Sequence, residues 1–192
     1  AEGTGSVGFA LAVVSYFTMV ASLGVPTYGI RACAKVRDDK EKLSQTVQEL
    51  LIINGITTAI MYVAYFLAMA IVPKFFQQKE ILAIVSIAIV LNTMGVSWLY
   101  SALEQYSYIT ACTVAFKILG IILMFAFIHS PEDYVIYGGI SAIASYGSGI
   151  LNFINMRKYI SFRKTGPYDF KRHIGPIFTF FMMSASISIY TN

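Results

Sequence analysis

Ile81-Leu82-Ala83-Ile84-Val85-Ser86-Ile87-Ala88-Ile89-Val90-Leu91-Asn92-Thr93-Met94-Gly95-Val96-Ser97-Trp98-Leu99-Tyr100-Ser101-Ala102-Leu103 contains no Asp, Glu, Lys or Arg. About 20 predominantly apolar residues suffice for a helix to cross a hydrocarbon layer about 30 Å thick, and this stretch exceeds that length. Three further charge-free intervals do the same: Gly3 to Ile30, Leu50 to Pro73 and Tyr134 to Met156. A fifth, Ile109 to Ile128, holds one charge, Lys117, and a sixth apolar stretch runs from Ile174 to Asn192. Apolar and polar residues do not alternate as they would in strands, and an open sheet would leave backbone groups unpaired in lipid. The expected fold is therefore all-α, a polytopic transmembrane helix bundle.

Composition agrees. The chain is 57% hydrophobic and only 12% charged, whereas soluble domains are about 25% charged; its mean hydropathy is +0.67. The net charge of +4 is no nucleic-acid signature, because the basic residues lie in short runs between apolar segments. The spans, A to F, are expected at about 5–28, 50–72, 81–103, 109–128, 135–155 and 175–192, within a single transmembrane domain covering 1–192. The chain does not start with Met and stops inside an apolar stretch, so the last span is expected to be truncated and the chain a fragment. No signal peptide is expected, since the first apolar run is too long for one.

Loop charges set the orientation. Arg31, Lys35, Arg37, Lys40 and Lys42 lie between spans A and B, and Arg157, Lys158, Arg163, Lys164, Lys171 and Arg172 between E and F. Only Lys74 and Lys79 lie between B and C. The loops 31–49, 104–108 and 156–173 are thus expected to be cytoplasmic, with the N-terminus and the Glu132-Asp133 turn outside. In the first of these loops Val36, Leu43, Val47 and Leu50 fall at helical spacing, and Asp38 with Glu41 resembles a capping box. The expected structure is an amphipathic extension of span B over about 36–49, lying at the membrane interface; a partner-binding helix is the alternative.

Catalytic motifs are missing. The two histidines, His129 and His173, sit at span ends, and no zinc-protease, nucleophile-elbow or phosphate-loop pattern occurs. Cys33 and Cys112 have no metal-site or disulfide spacing. Neither an enzyme nor a bound metal or cofactor is expected. Lys117 is the one charge well inside a span, about 12 Å deep counted from Ile109 at 1.5 Å per residue. An ammonium there must meet an anion, face a wet cavity or snorkel to the interface. Arg31 closes span A after Gly24-Val25-Pro26-Thr27-Tyr28-Gly29-Ile30. Pro26 removes an internal hydrogen bond and Gly29 loosens the following turn, so a kink that serves as a gate is expected there, with Arg31 either touching phosphate or marking the boundary. Ser141, Ser145 and Gly149 form a stripe of small residues suited to close helix packing. Asn54, Asn92 and Asn152 are expected to bond between helices. Trp98, Tyr100, Tyr106 and Tyr108 look like an interfacial aromatic belt, and Glu104 among them is placed to pair with a basic loop residue.

The opening Ala-Glu-Gly-x-Gly and the run Ala21-Ser22-Leu23-Gly24-Val25-Pro26-Thr27-Tyr28-Gly29-Ile30-Arg31 resemble the second helix of bacterial polysaccharide flippases. These are the Wzx-type O-antigen transporters of the multidrug/oligosaccharidyl-lipid/polysaccharide exporter superfamily. Trp98-Leu99-Tyr100-Ser101-Ala102-Leu103-Glu104-Gln105-Tyr106 is similar to the family's stretch between its fourth and fifth helices, and Lys117 sits where members often carry a basic residue. Pro176 to Asn192, with Ser186-Ile187-Ser188-Ile189-Tyr190-Thr191, resembles the start of the seventh. The resemblance implies one incomplete lobe of a MATE-like transporter, holding helices two to six and the start of seven. It also implies residence in the bacterial inner membrane and transport of a polyprenyl-diphosphate-linked oligosaccharide by alternating access. Its implied partners are that substrate, membrane lipids and other polysaccharide-assembly proteins. Arg31 and Lys117 are the residues it suggests for holding the diphosphate. A small-molecule exporter or a membrane-embedded envelope-polysaccharide enzyme are the alternatives; the first favours acidic residues within spans, the second a large outer loop, and the sequence has neither.

Overall fold

The computed structural model describes residues 2–163 and 166–191. Ala1 of the opening motif, Lys164 of the basic loop and Asn192 lie outside the described residues, as do the side chains of 187–191 in the last motif. Helices account for nearly all of it: α1 (Glu2–Ser22), α2 (Val25–Ala34), α3 (Lys40–Ile71), α4 (Pro73–Gln77), α5 (Lys79–Val85), α6 (Ile87–Met94), α7 (Ser97–Ala102), α8 (Tyr106–Phe127), α9 (Tyr134–Tyr146), α10 (Ser148–Asn155) and α11 (Lys171–Thr191). Five helical stretches among the described residues are long and apolar enough to cross a membrane: Gly5–Ala34, Lys40–Ile71, Lys79–Ala102, Tyr106–Phe127 and Tyr134–Lys158. The chain is a multi-pass membrane protein.

The surface the helices leave uncovered is strongly apolar. On α3, Ile52, Ile56, Ile60, Val63, Leu67 and Ile71 recur at helical spacing and are all exposed. From Ile52 to Ile71 the stripe rises about 29 Å at 1.5 Å per residue, close to the thickness of the hydrocarbon layer. Ile118, Ile121, Ile122 and Phe125 form a matching stripe on α8. Two apolar cores lie behind these stripes. One joins Val7, Ala10, Val14, Tyr65, Leu82 and Ile89 near the end that holds Lys74 and Lys79. The other joins Val25, Val47, Leu50, Trp98, Leu99 and Met156 near the opposite end.

At that opposite end the three loops between spans A–B, C–D and E–F meet. Arg37 bonds Glu104 at 2.6 Å between the A–B and C–D loops, and Gln48 Nε2 donates to the Ser161 carbonyl at 2.6 Å between the A–B and E–F loops. Most of the chain's Lys and Arg residues gather there.

Several sequence expectations shift by local physics. The 36–49 segment does join α3, but it does not lie on a surface. Leu43, Val47 and Leu50 enter the core, while Ser44, Gln48 and Glu49 are buried beneath the E–F loop. Its cap is Asp39 rather than Asp38: the Asp39 carboxylate accepts from the backbone N–H of Glu41 and Lys42. Trp98 and Tyr100 are not belt residues, since they are 3% and 0% exposed. Trp98 lies against Gly29, where a Cβ would sit 2.7 Å from its ring, and the Tyr100 hydroxyl donates to the Asn152 carbonyl. Gly29 therefore provides close packing inside a continuous helix.

Substitutions at two glycines separate packing from propensity. Gly29→Val is expected to lower the thermal midpoint in detergent, through an overpacking cost of about 1–3 kcal/mol. Gly55→Ala, which meets nothing within 4 Å, should be neutral or raise it, because Ala is the better helix former. Equal midpoints for Gly29→Val and the unaltered protein would contradict the helix contact.

Candidate functional site

A cavity of about 560 Å³ opens beside a break in one membrane-spanning stretch. Span C breaks between α6 and α7 at Gly95-Val96, whereas the facing span E stays helical through Gly147, whose N–H donates to the Ile143 carbonyl at 2.7 Å. A break frees backbone groups that hydrocarbon cannot satisfy, so a neighbour must bond them. Asn152 does so, its Nδ2 donating to the Gly95 carbonyl at 3.0 Å. Close approach makes this possible: a Cβ on Gly149 would lie 2.6 Å from the Leu91 carbonyl oxygen. Gly149 ends the small-residue stripe, and Ser145, its middle member, lines the cavity.

The third wall is α8. Thr110, Thr113 and Lys117 line it at helical spacing. With Asn92, Ser97, Ser148 and Asn152 opposite, the cavity is polar-walled within an otherwise apolar bundle, and Lys117 is its only charged lining residue. The Oδ1 of Asn152 is buried with no hydrogen-bond partner among the described residues. Asn92 reaches the other way, its Nδ2 donating to Ser22 Oγ at 2.8 Å. Asn54 is buried with its Oδ1 unpartnered. A lysine beside hydroxyl and amide side chains on one cavity wall can attract an anion electrostatically, and its neighbours can hydrogen-bond polyhydroxyl groups. No group of three His, Cys, Asp or Glu among the described residues is placed to hold a metal.

Arg31 lies elsewhere, on a second cavity of about 610 Å³ at the basic end, together with Tyr28, Lys35, Arg172, His173 and Phe180. No residue lines both cavities, so the structure does not bring Arg31 and Lys117 together. The Arg31 guanidinium stacks over the Phe180 ring, 4.8 Å from its centroid. Pro26 occupies the first turn of α2, where a missing N–H costs nothing. The chain turns just before it, with Leu23 at φ 44 and Gly24 at φ 71. A Cβ on Gly24 would lie 2.6 Å from the backbone nitrogen of Phe181, so this turn is also where α11 docks.

Beside the second cavity is a cluster the sequence did not reveal. Glu49 is fully buried. Its Oε2 accepts from Arg172 Nη2 at 2.5 Å and Nε at 3.1 Å, and bonds His173 Nε2 at 2.6 Å. Its Oε1 accepts from the Asp169 backbone N–H and from Gln45. On its other side the His173 ring shares a 2.8 Å hydrogen bond with the Tyr28 hydroxyl. One carboxylate thus ties α3 to the start of α11 and, through His173, to α2. Its charged and histidine partners, Arg172 and His173, are more than 100 residues away along the chain, so no local spacing announces it.

A family model described as "Polysaccharide biosynthesis protein" matches residues 1–192. The chain is 23% identical to an Escherichia coli (strain K12) protein named "Putative O-antigen transporter", over 99% of this chain and 46% of that protein. It therefore spans about half the length of that curated relative. No solved structure matches it.

Glu49→Gln keeps the side chain's shape and removes its charge. It is expected to lower the thermal midpoint, through a loss of about 1–3 kcal/mol for weakened bonds to charged donors, and to speed proteolysis between Ser161 and Phe170. Arg37→Gln, which breaks the exposed pair with Glu104, should leave both unchanged. Unaltered cleavage in Glu49→Gln would show that the carboxylate does not hold the loop.

Proposed function

The chain belongs to the polysaccharide biosynthesis protein family, and from that premise we propose that it forms one lobe, with the start of a second, of a lipid-linked oligosaccharide flippase. The substrate in this reading is an oligosaccharide on polyprenyl diphosphate, moved from the cytoplasmic to the outer face of the bacterial inner membrane during surface polysaccharide assembly. The name of the Escherichia coli relative, an O-antigen transporter, supports that substrate class. The basic end faces the cytoplasm, as the asymmetry of loop charge favours.

The observation that carries the reading is the cavity lined by Lys117 at the break in span C. Transporters place substrate sites where membrane helices are discontinuous. In this cavity Lys117 meets the diphosphate, while Asn92, Thr113, Ser145 and Asn152 offer hydrogen bonds to the first sugars. Arg31 lines a separate cavity and takes no part in this site. The lipid tail stays in the bilayer. Movement is alternating access, with Gly24 and the turn ahead of Pro26 as the flexible element beside α11. No covalent step is involved, and the role of Lys117 is to hold and release charge.

The full-length protein is expected to restore surface polysaccharide to a flippase-null strain whose sugar unit it matches. Lys117→Ala at equal abundance should cut that restoration about 10- to 100-fold, the worth of a charge-assisted hydrogen bond, and Lys117→Arg should retain part of it. Full restoration by Lys117→Ala would remove the site but leave the class; failure of the intact protein would overturn transport itself.

A further inference from the structure

The second cavity gathers three cations from two distant parts of the chain. Arg31 and Lys35 stand four residues apart at the end of α2, and Arg172 lies in the first turn of α11. Like charges four apart on a helix repel. The end of α2 welcomes a cation, but the first turn of α11 does not, because the helix dipole is positive there. Arg172 is held there by Glu49, which engages its Nε and Nη2. Its Nη1 meets no hydrogen-bond partner among the described residues, and the side chain is 44% exposed.

Neutralisation is incomplete. Among the described residues neither Arg31 nor Lys35 takes part in an ion pair. Asp39 is turned away as the cap of α3 and pairs with Lys42. Glu49, the carboxylate nearest the cavity, is already shared by Arg172 and His173. The cavity is therefore a basic pocket that no acidic side chain among the described residues lines.

An apolar strip adjoins it. Pro176, Phe180 and Met183 fall on one side of α11 by helical period. Pro176 and Phe180 line the cavity, and Met183 is 59% exposed. A cationic floor with an apolar helical strip beside it matches a phospholipid, which carries both an anion and acyl chains, better than a free ion. Basic pockets between membrane helices bind anionic headgroups on this principle.

We propose that the Arg31–Lys35–Arg172 cavity binds the phosphate of an anionic phospholipid from the leaflet at the basic end, with an acyl chain along α11. Glu49 acts as a positioning residue that aims Arg172. The lipid would occupy the seam between α2 and α11, so its binding favours the docked position of α11. This site is separate from the Lys117 cavity and does not depend on what that cavity carries.

The test is lipid retention by the full-length protein, read by native mass spectrometry after extraction from vesicles of phosphatidylglycerol and phosphatidylcholine in equal amounts. Phosphatidylglycerol should be retained preferentially. Arg31→Gln with Lys35→Gln should reduce that preference about 25-fold, roughly fivefold per cation removed near the membrane surface, whereas Arg31→Lys should keep it. The thermal midpoint in neutral detergent reports folding. If the double variant loses its fold, Lys35→Gln alone carries the test, with an expected loss of about fivefold. An unchanged preference in the folded variant overturns the proposal. So does displacement of the lipid by equimolar inorganic pyrophosphate, which makes the occupant a soluble anion, or by equimolar polyprenyl diphosphate, which assigns the pocket to the transported substrate.

Discussion

Hydrocarbon offers no hydrogen bonds, so every polar group that this chain carries into the membrane must be matched by another part of the chain or by water in a cavity. The helices meet this demand along their length and fail it where they break. At Leu23-Gly24 the backbone turns left-handed, and α11 closes over it. At Gly95-Val96 Asn152 supplies the missing donor, and Tyr100 in turn bonds the Asn152 carbonyl. Thr58 and Thr93 satisfy each other between α3 and α6. The interior polar residues are thus concentrated at the breaks, and beside one break their surplus opens as the Lys117 cavity.

Charge follows the same logic with larger energies. A buried carboxylate is tolerable only when paired and fully hydrogen-bonded. Glu49 meets that condition through Arg172, His173, Gln45 and the Asp169 backbone N–H, and so fixes the E–F loop and the start of α11 on α3. Outside the membrane the same principle works at lower stakes. Asp133 accepts from the backbone N–H of His129 and Ser130, and these bonds hold its carboxyl below the usual carboxylate range. Lys117 is different: no acidic residue among the described residues lines its cavity. An ammonium within a span must reach water, the interface or an anion.

Where the helices run was legible because absence of charge over twenty residues has one physical meaning in a chain this apolar. The meeting of the basic loops at one end follows from the alternation of spans. Local shifts were harder to see. Pro26 marks a break, but proline is tolerated in a first helical turn, so the break falls just before it, at Leu23-Gly24. Asp38 and Asp39 are equally good caps by type, and only the backbone decides between them. Trp98 and Tyr100 are as common at interfaces as in cores; what buries them is Gly29 and the Asn152 carbonyl, on other helices. The Glu49 cluster and the second cavity depend on contacts between α2, α3 and α11, which no sequence window contains.

The central claim is that Lys117 borders water rather than lipid, and labelling a cysteine at that position tests it most directly. Cys33 and Cys112 are both buried and free, and they would be replaced to give a cysteine-less background. In that background Lys117→Cys is predicted to react with a membrane-impermeant thiol reagent at a rate near that of a cysteine in the loop at 104–108, and Ile122→Cys on the exposed apolar stripe of α8 should not react. If Lys117→Cys is as unreactive as Ile122→Cys in the folded protein, the residue faces lipid and the substrate cavity is not where it has been placed.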